Sequence, residues 1–197
     1  MQENKYIGDD KMIKMLEHYN CSTPLEVIKM RFTGAICSPN LELRPTDVIS
    51  SFWPSGQAPR LQTKEEADLF FKFFMGLWDY IFTDVKNNKI KLEKISFKNL
   101  EYYCQRRFAE VEQGFAEGFW SGKEDMKLPA YLAEVIDSLA DLAELYKTIE
   151  QKSLQAKDMT EISNALKSAD RMVEKTISFI IDNSVLPRIE SLQRTVN

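Results

Sequence analysis

One histidine, His18, is all that 197 residues contain, and that scarcity removes the usual proton shuttle and the commonest metal ligand from nearly the whole chain. Cysteine is almost as rare. Cys21, Cys37 and Cys104 are odd in number and far apart, which points to reduced thiols, no structural disulfide and a cytoplasmic setting. No GxSxG, HExxH or P-loop segment occurs, so hydrolase and nucleotide-dependent chemistries lack their ordinary markers. Long apolar runs are missing too. The most apolar stretch, Leu69 to Phe82, is broken by Lys72 and Asp79 and is too short to cross a bilayer. Glu3, Lys5, Asp9, Asp10 and Lys11 leave no uninterrupted apolar segment for a signal peptide. A formal charge of −4 restricts any nucleic-acid contact to a local patch.

What remains is helical punctuation. Gly and Pro number seven each, almost all before residue 130, and they separate a series of helical patterns. Asp9 or Asp10 is placed to cap a first helix carrying Met12, Ile13, Leu16 and Tyr19. Thr23 and Pro24 read as N-cap and first residue of a second helix, which closes between Gly34 and Pro39. Pro45 and Thr46 open a short third helix ending near Trp53, and Pro54, Gly56 and Pro59 force a loop. Thr63 with Glu66 reads as a capping box. In the helix that follows, apolar residues from Leu69 to Val85 cover roughly 240° of arc, so this helix is expected to be the nearly surrounded hub of the fold. Another long helix starts at Ser96, with Leu100, Cys104, Phe108, Val111 and Phe115 on one face. Leu132, Val135, Ile136, Leu139, Leu142 and Ile149 form the next stripe. Ile162, Leu166, Ala169, Val173, Ile177 and Ile180, capped by Asp158 with Glu161 and stopped by Pro187, form the last. No stretch alternates with a period of two. The expectation is an all-α single domain over residues 1–197, a multi-helix bundle with a C-terminal helical hairpin.

Two stretches carry a family resemblance. Phe32 to Pro39, FTGAICSP, followed by Pro45 and Trp53, is similar to the helix, proline turn and short aromatic-ended helix of the YecA/YgfB-like bacterial proteins. Arg106 to Gly122, RRFAEVEQGFAEGFWSG, resembles the helix of that family that ends in a Gly-Phe segment. With the hairpin after Pro129 the similarity spans roughly residues 22–182. It implies a compact all-helical protein without an assigned chemistry. Met30 and Arg31 stand where relatives often have Asp-Gly or His-Gly. The cysteine-rich zinc knuckle of some relatives has no counterpart in the last fifty residues, which lack Cys and His.

Four groups of residues stand out. Gly114, Gly118 and Gly122 recur every fourth residue beside Phe115, Phe119 and Trp120. Each helical glycine costs about 1 kcal/mol relative to alanine, so close approach of another helix or of a partner is the physical reason to expect. The alternative is a helix end whose aromatics enter the core. Together with the Ile36 to Trp53 turn, this region is the expected contact surface of a non-catalytic interaction or adaptor protein, or of a homodimer. Glu110, Glu112, Glu117, Glu124 and Asp125 form an acidic cluster able in principle to hold a cation or act as acid and base. Because Arg106 sits four residues before Glu110, a solvated helix face is the expected reading. His18 and Cys21 make an HxxC pair, but Cys37 and Cys104 are isolated, unlike the close pairs of a zinc site; no metal or cofactor is expected. Lys86, Lys89, Lys91, Lys94 and Lys98 form a basic run able in principle to touch the phosphates of a nucleic acid, but Phe97 is its one interleaved aromatic, and a solvated loop is the expected reading.

Overall fold

The computed structural model describes residues 5–53, 58–123, 125–153 and 159–196. Helices run over Asp9–His18 (α1), Leu25–Cys37 (α2), Pro45–Ser50 (α3), Lys64–Lys86 (α4) and Leu100–Phe108 (α5). The last of these continues through a π-helical segment, Ala109–Ala116 (π1), into Glu117–Trp120 (α6). Then come Ala130–Ser153 (α7), Met159–Ile180 (α8), a second π segment, Ile181–Val185 (π2), and Leu186–Val196 (α9). Among the described residues there is no strand, and no helix is long and apolar enough to cross a membrane. The fold class is all-α, as expected.

The hub is α2, not α4. Eleven of its thirteen residues are buried, Glu26 and Lys29 being the exceptions. It packs against π1, α6, α4, α1, α3 and π2. By contrast, α4 buries Phe70, Phe74, Leu77, Ile81 and Val85 but leaves Leu69, Phe71, Tyr80 and Phe82 exposed. Length accounts for the difference. At 1.5 Å per residue α4 is about 35 Å long and α2 about 20 Å, so α4 overhangs its main neighbour. Full burial of a large apolar side chain is worth about 1.5–3 kcal/mol, so the core of α2, from Leu25 through Phe32 to Ile36, is a principal source of stability.

Capping follows the expected logic with shifted details. Gly8, rather than an aspartate, is the N-cap of α1, and Asp9 and Asp10 occupy its first turn, where negative charge complements the helix dipole. Thr23 does not cap α2; its hydroxyl donates to the Phe52 carbonyl at 2.8 Å, tying α2 to the end of α3. Thr63 does cap α4, accepting from the Glu66 N–H at 3.1 Å, while the Glu66 carboxylate reaches back to the Gln62 N–H at 2.6 Å. Helix α5 starts at Leu100 rather than Ser96, because Asn99 Oδ1 accepts from the Tyr102 N–H at 2.9 Å. The loop residues Pro54 and Gly56 and the cap residue Asp158 lie outside the described residues.

Helices α7 and α8 pack together as the expected hairpin, Leu132, Leu139, Tyr146 and Ile149 meeting the Ile162, Leu166, Val173 and Ile177 stripe. Pro187 does not stop the chain there. It is the second residue of α9, just beyond the wider turns of π2. Its missing N–H leaves the carbonyl four residues earlier, on Asn183, without an α-helical donor. The Tyr131 hydroxyl donates to that carbonyl at 3.3 Å. Arg188 then anchors α9 by donating to the Ser38 and Ile36 carbonyls at 2.5 and 2.9 Å.

Candidate functional site

The glycines do mark a close approach, and it is internal. A Cβ on Gly118 would collide with the Arg31 carbonyl oxygen and lie 2.8 and 2.9 Å from the Arg31 carbonyl carbon and Cα. On Gly114 it would lie 2.7 Å from Met30 Cβ, and on Gly34 of the facing helix 2.8 Å from the Phe119 nitrogen. Backbone therefore meets backbone where α2 crosses π1 and α6. Phe115 and Phe119 are fully buried, and Trp53 is only 5 % exposed, its indole N–H donating to the Tyr19 carbonyl at 3.0 Å. Gly114, Phe115, Gly118, Phe119 and Trp53 thus belong to the interior and cannot face another molecule in this fold. Of Gly114, Phe115, Gly118, Phe119, Trp120 and Trp53, only Trp120 stays partly exposed. Gly122 serves the chain reversal instead: Ser121 and Gly122 have φ of 43° and 75°, ending the α5–π1–α6 rod.

The acidic cluster divides. Glu110 is 2 % exposed and belongs to a buried network, correcting the expectation of a solvated face. Its oxygens accept from Arg106 Nε at 2.9 Å and Arg107 Nη1 at 2.5 Å. Arg107, 1 % exposed, also forks onto Asp170 of α8 through Nε at 3.1 Å and Nη2 at 2.9 Å, and donates to the Glu93 carbonyl at 2.6 Å. The hydroxyls of Tyr103 and Tyr146 donate to Asp170 at 2.7 and 2.8 Å. Burial pulls the Arg107 guanidinium down, but Glu110 and Asp170 outweigh it and hold the group above its ordinary value. Burial, then the hydrogen bond to Asp170 and its charge, raises both tyrosine hydroxyls. Among the described residues no buried side-chain nitrogen or oxygen lacks a partner. The network is a buried brace joining α5, π1, α7 and α8.

The wider turns of π1 separate Glu110 from Glu117. In an α-helix the two would share a face; here Glu110 points into the core while the Glu117 side chain is 55 % exposed. Glu124 lies outside the described residues, and Asp125 is exposed.

The other sequence candidates also disperse. His18 packs edge-on against Tyr19, Cys21 is half-buried, and burial pushes the Cys37 and Cys104 thiols up to about 12 and about 11. Among the described residues no three His, Cys, Asp or Glu side chains form a group able to hold a metal ion. In the basic run, Lys91 pairs with Glu174 of α8 at 2.9 Å.

One concave feature unites the two segments chosen from sequence. A cleft of about 700 Å³ is lined by Leu43, Asp47, Val48 and Ser51 from the α3 side and Glu112, Ala116, Glu117 and Trp120 from the rod. Ser121 and Gly122 follow at the rod's end, Arg31 comes from α2, and α7 closes the wall with Ile136, Asp137 and Ala140. Arg31 is almost wholly enclosed. Its Nε and Nη2 donate to the Gln113 carbonyl at 2.9 and 2.5 Å, and Nη1 to the Ser51 carbonyl and hydroxyl at 2.8 and 3.2 Å. Nη2 also pairs with Glu117. Those contacts engage all five N–H groups of the guanidinium. Burial, only partly offset by Glu117, lowers its pKa. Sequence reasoning missed Arg31 as a site component, reading it only as a departure from a family pattern. It also passed over Asp137, since nothing in a polar residue on an amphipathic helix announces that it faces a concavity. No family model matches this chain, and no curated protein or solved structure is significantly similar to it.

Proposed function

We propose that this protein is a non-catalytic, cytoplasmic helical interaction domain, with the compact all-helical build that its resemblance to YecA/YgfB-like proteins implies, and that it receives a protein partner in the cleft bounded by α3, the end of the α5–π1–α6 rod, and α7. One observation carries the reading. The Leu43–Ser51 and Glu112–Gly122 segments, distant in sequence, line a single cleft of about 700 Å³, a size within the range of sites that enclose a ligand. Its walls mix apolar surface from the half-buried Leu43 and Trp120 with carboxylates, the composition of a recognition surface. The contact role passes from the buried glycines and phenylalanines to Trp120 and the residues around it.

Site-specific photocrosslinking in the native cell tests this. A photoreactive residue at the cleft position Ala140 is expected to give a discrete adduct that disappears when Trp120→Ala is added. The same residue at exposed Lys64, on the start of α4, is expected not to give it. Identical adducts from both positions, or an adduct indifferent to Trp120→Ala, would overturn the reading.

A further inference from the structure

Building on the interaction reading, we infer that the cleft recognises a basic peptide segment, presenting an arginine or lysine beside an apolar side chain. Charge on the cleft wall points to a cation. Four carboxylates, Asp47, Glu112, Glu117 and Asp137, line it against one guanidinium, Arg31. Asp47 is engaged by Arg44 at 3.0 Å and Glu117 by Arg31. Among the described residues Glu112 and Asp137 have no hydrogen-bond or ion-pair partner. They are contributed by two different elements, π1 and α7, so the negative potential does not come from one solvated helix face.

An anionic ligand is disfavoured on the same grounds. All five N–H groups of Arg31 are already matched, so an incoming carboxylate or phosphate finds no free donor there without displacing Glu117. The polarity of the backbone agrees. The cleft opens at the C-terminal end of the rod, where helix carbonyls leave a partial negative charge that favours cations. Trp120 adds an indole, the aromatic face to which ammonium and guanidinium groups are most strongly drawn. Beside it the half-buried Leu43 adds an apolar side chain, which a free metal ion or small amine would leave uncovered. A peptide carrying both kinds of side chain covers it.

The test is fluorescence anisotropy with three labelled peptides on the full chain: alternating arginine and leucine, lysine and leucine, and glutamate and leucine. The basic peptides are expected to bind, more weakly as salt rises. Affinity should drop about tenfold or more in Glu112→Gln/Asp137→Asn, the size of change that two close charge contacts support. It should change less than twofold in Glu65→Gln/Asp68→Asn, which removes the same charge from exposed positions on α4. Circular dichroism checks that both variants keep the fold. Equal losses in the two variants would reduce the effect to net charge and overturn the inference. Preference for the glutamate peptide, or no binding of a basic one, would overturn it as well. The interaction reading fails separately: a Trp120-dependent adduct at Ala140 that persists in Glu112→Gln/Asp137→Asn would keep the cleft as a docking site and remove its basic occupant.

Discussion

Alanine at Gly118 opposes two physical effects of known sign. Helix propensity alone predicts a gain of about 1 kcal/mol, because glycine has more backbone freedom to lose on folding. Packing predicts the reverse. The added methyl would meet the Arg31 carbonyl group and Cα, which are backbone atoms and cannot rotate aside as a side-chain end would. Relief requires α2 and α6 to separate, and a gap of 0.5–1 Å forfeits roughly a quarter to a half of each dispersion contact across the crossing. Overpacking of a tight core costs about 1–3 kcal/mol, and more where no rearrangement is open. Taking the upper part of that range and subtracting the propensity gain leaves a net loss of about 2 kcal/mol, or roughly 4–8 °C in Tm for a chain of this size. Urea and thermal denaturation followed by far-ultraviolet circular dichroism measure it. Gly34→Ala presses on the same crossing from the other helix, so the double variant should lose less than the sum of the single losses. At Gly76 an added methyl would lie 2.9 Å from the Lys5 carbonyl oxygen, also a backbone atom but with a milder overlap than at Gly118, so Gly76→Ala should lose less than Gly118→Ala. A neutral or stabilising Gly118→Ala, or strict additivity with Gly34→Ala, would refute the backbone-to-backbone crossing.

Removing Asp170 by Asp170→Ala should cost about 3–5 kcal/mol in urea unfolding, since it strips Arg107 and two tyrosine hydroxyls of their shared acceptor inside the brace; Tyr103→Phe, which removes one donor, should cost only about 1–2 kcal/mol. The Cys37 thiol rises from 9.0 to about 12 in the folded chain, so the native state keeps its proton where the unfolded state has lost it. This contribution to stability is complete below pH 9 and is lost as pH climbs to about 12; Cys37→Ala should flatten that part of the stability profile. Asn99→Ala should destabilise by about 1 kcal/mol by removing the acceptor of the Tyr102 N–H.

Local features were the readable ones. The Thr63 cap, the two stripes of α7 and α8 and the helical class follow from contacts within a few residues, which spacing records directly. Centrality was not readable, because apolarity counts side chains and not neighbours. The segment Leu69 to Val85 is richer in large apolar groups, yet α2, with Arg31, Thr33 and Gly34 in its middle, is the enclosed helix. Those three residues look like interruptions until their partners are known: the Gln113 and Ser51 carbonyls for Arg31, the Lys29 carbonyl for Thr33, and the Phe115 backbone for Gly34. The glycine spacing announced a close approach but could not say that its partner was α2 of the same chain. Glu110 was misread for a similar reason, since Asp170, which shares Arg107 with it, lies sixty residues away in sequence. The cleft was half legible: both segments that flank it were selected, and within them the inward-facing residues were taken for the outward-facing ones.

The π segment between α5 and α6 makes the rod behave like a shaft with a built-in twist. Its first half is oriented for the brace with α7 and α8, its second for the glycine crossing with α2, and the two orientations would not coincide on an uninterrupted α-helix. Angular offset is therefore a property that chain length controls here. Deleting a single residue within Ala109–Ala116 would advance everything beyond it by about 100°, turning Gly118 away from Arg31 and carrying Trp120 off the cleft wall, although the rod would lose only about 1.5 Å in length.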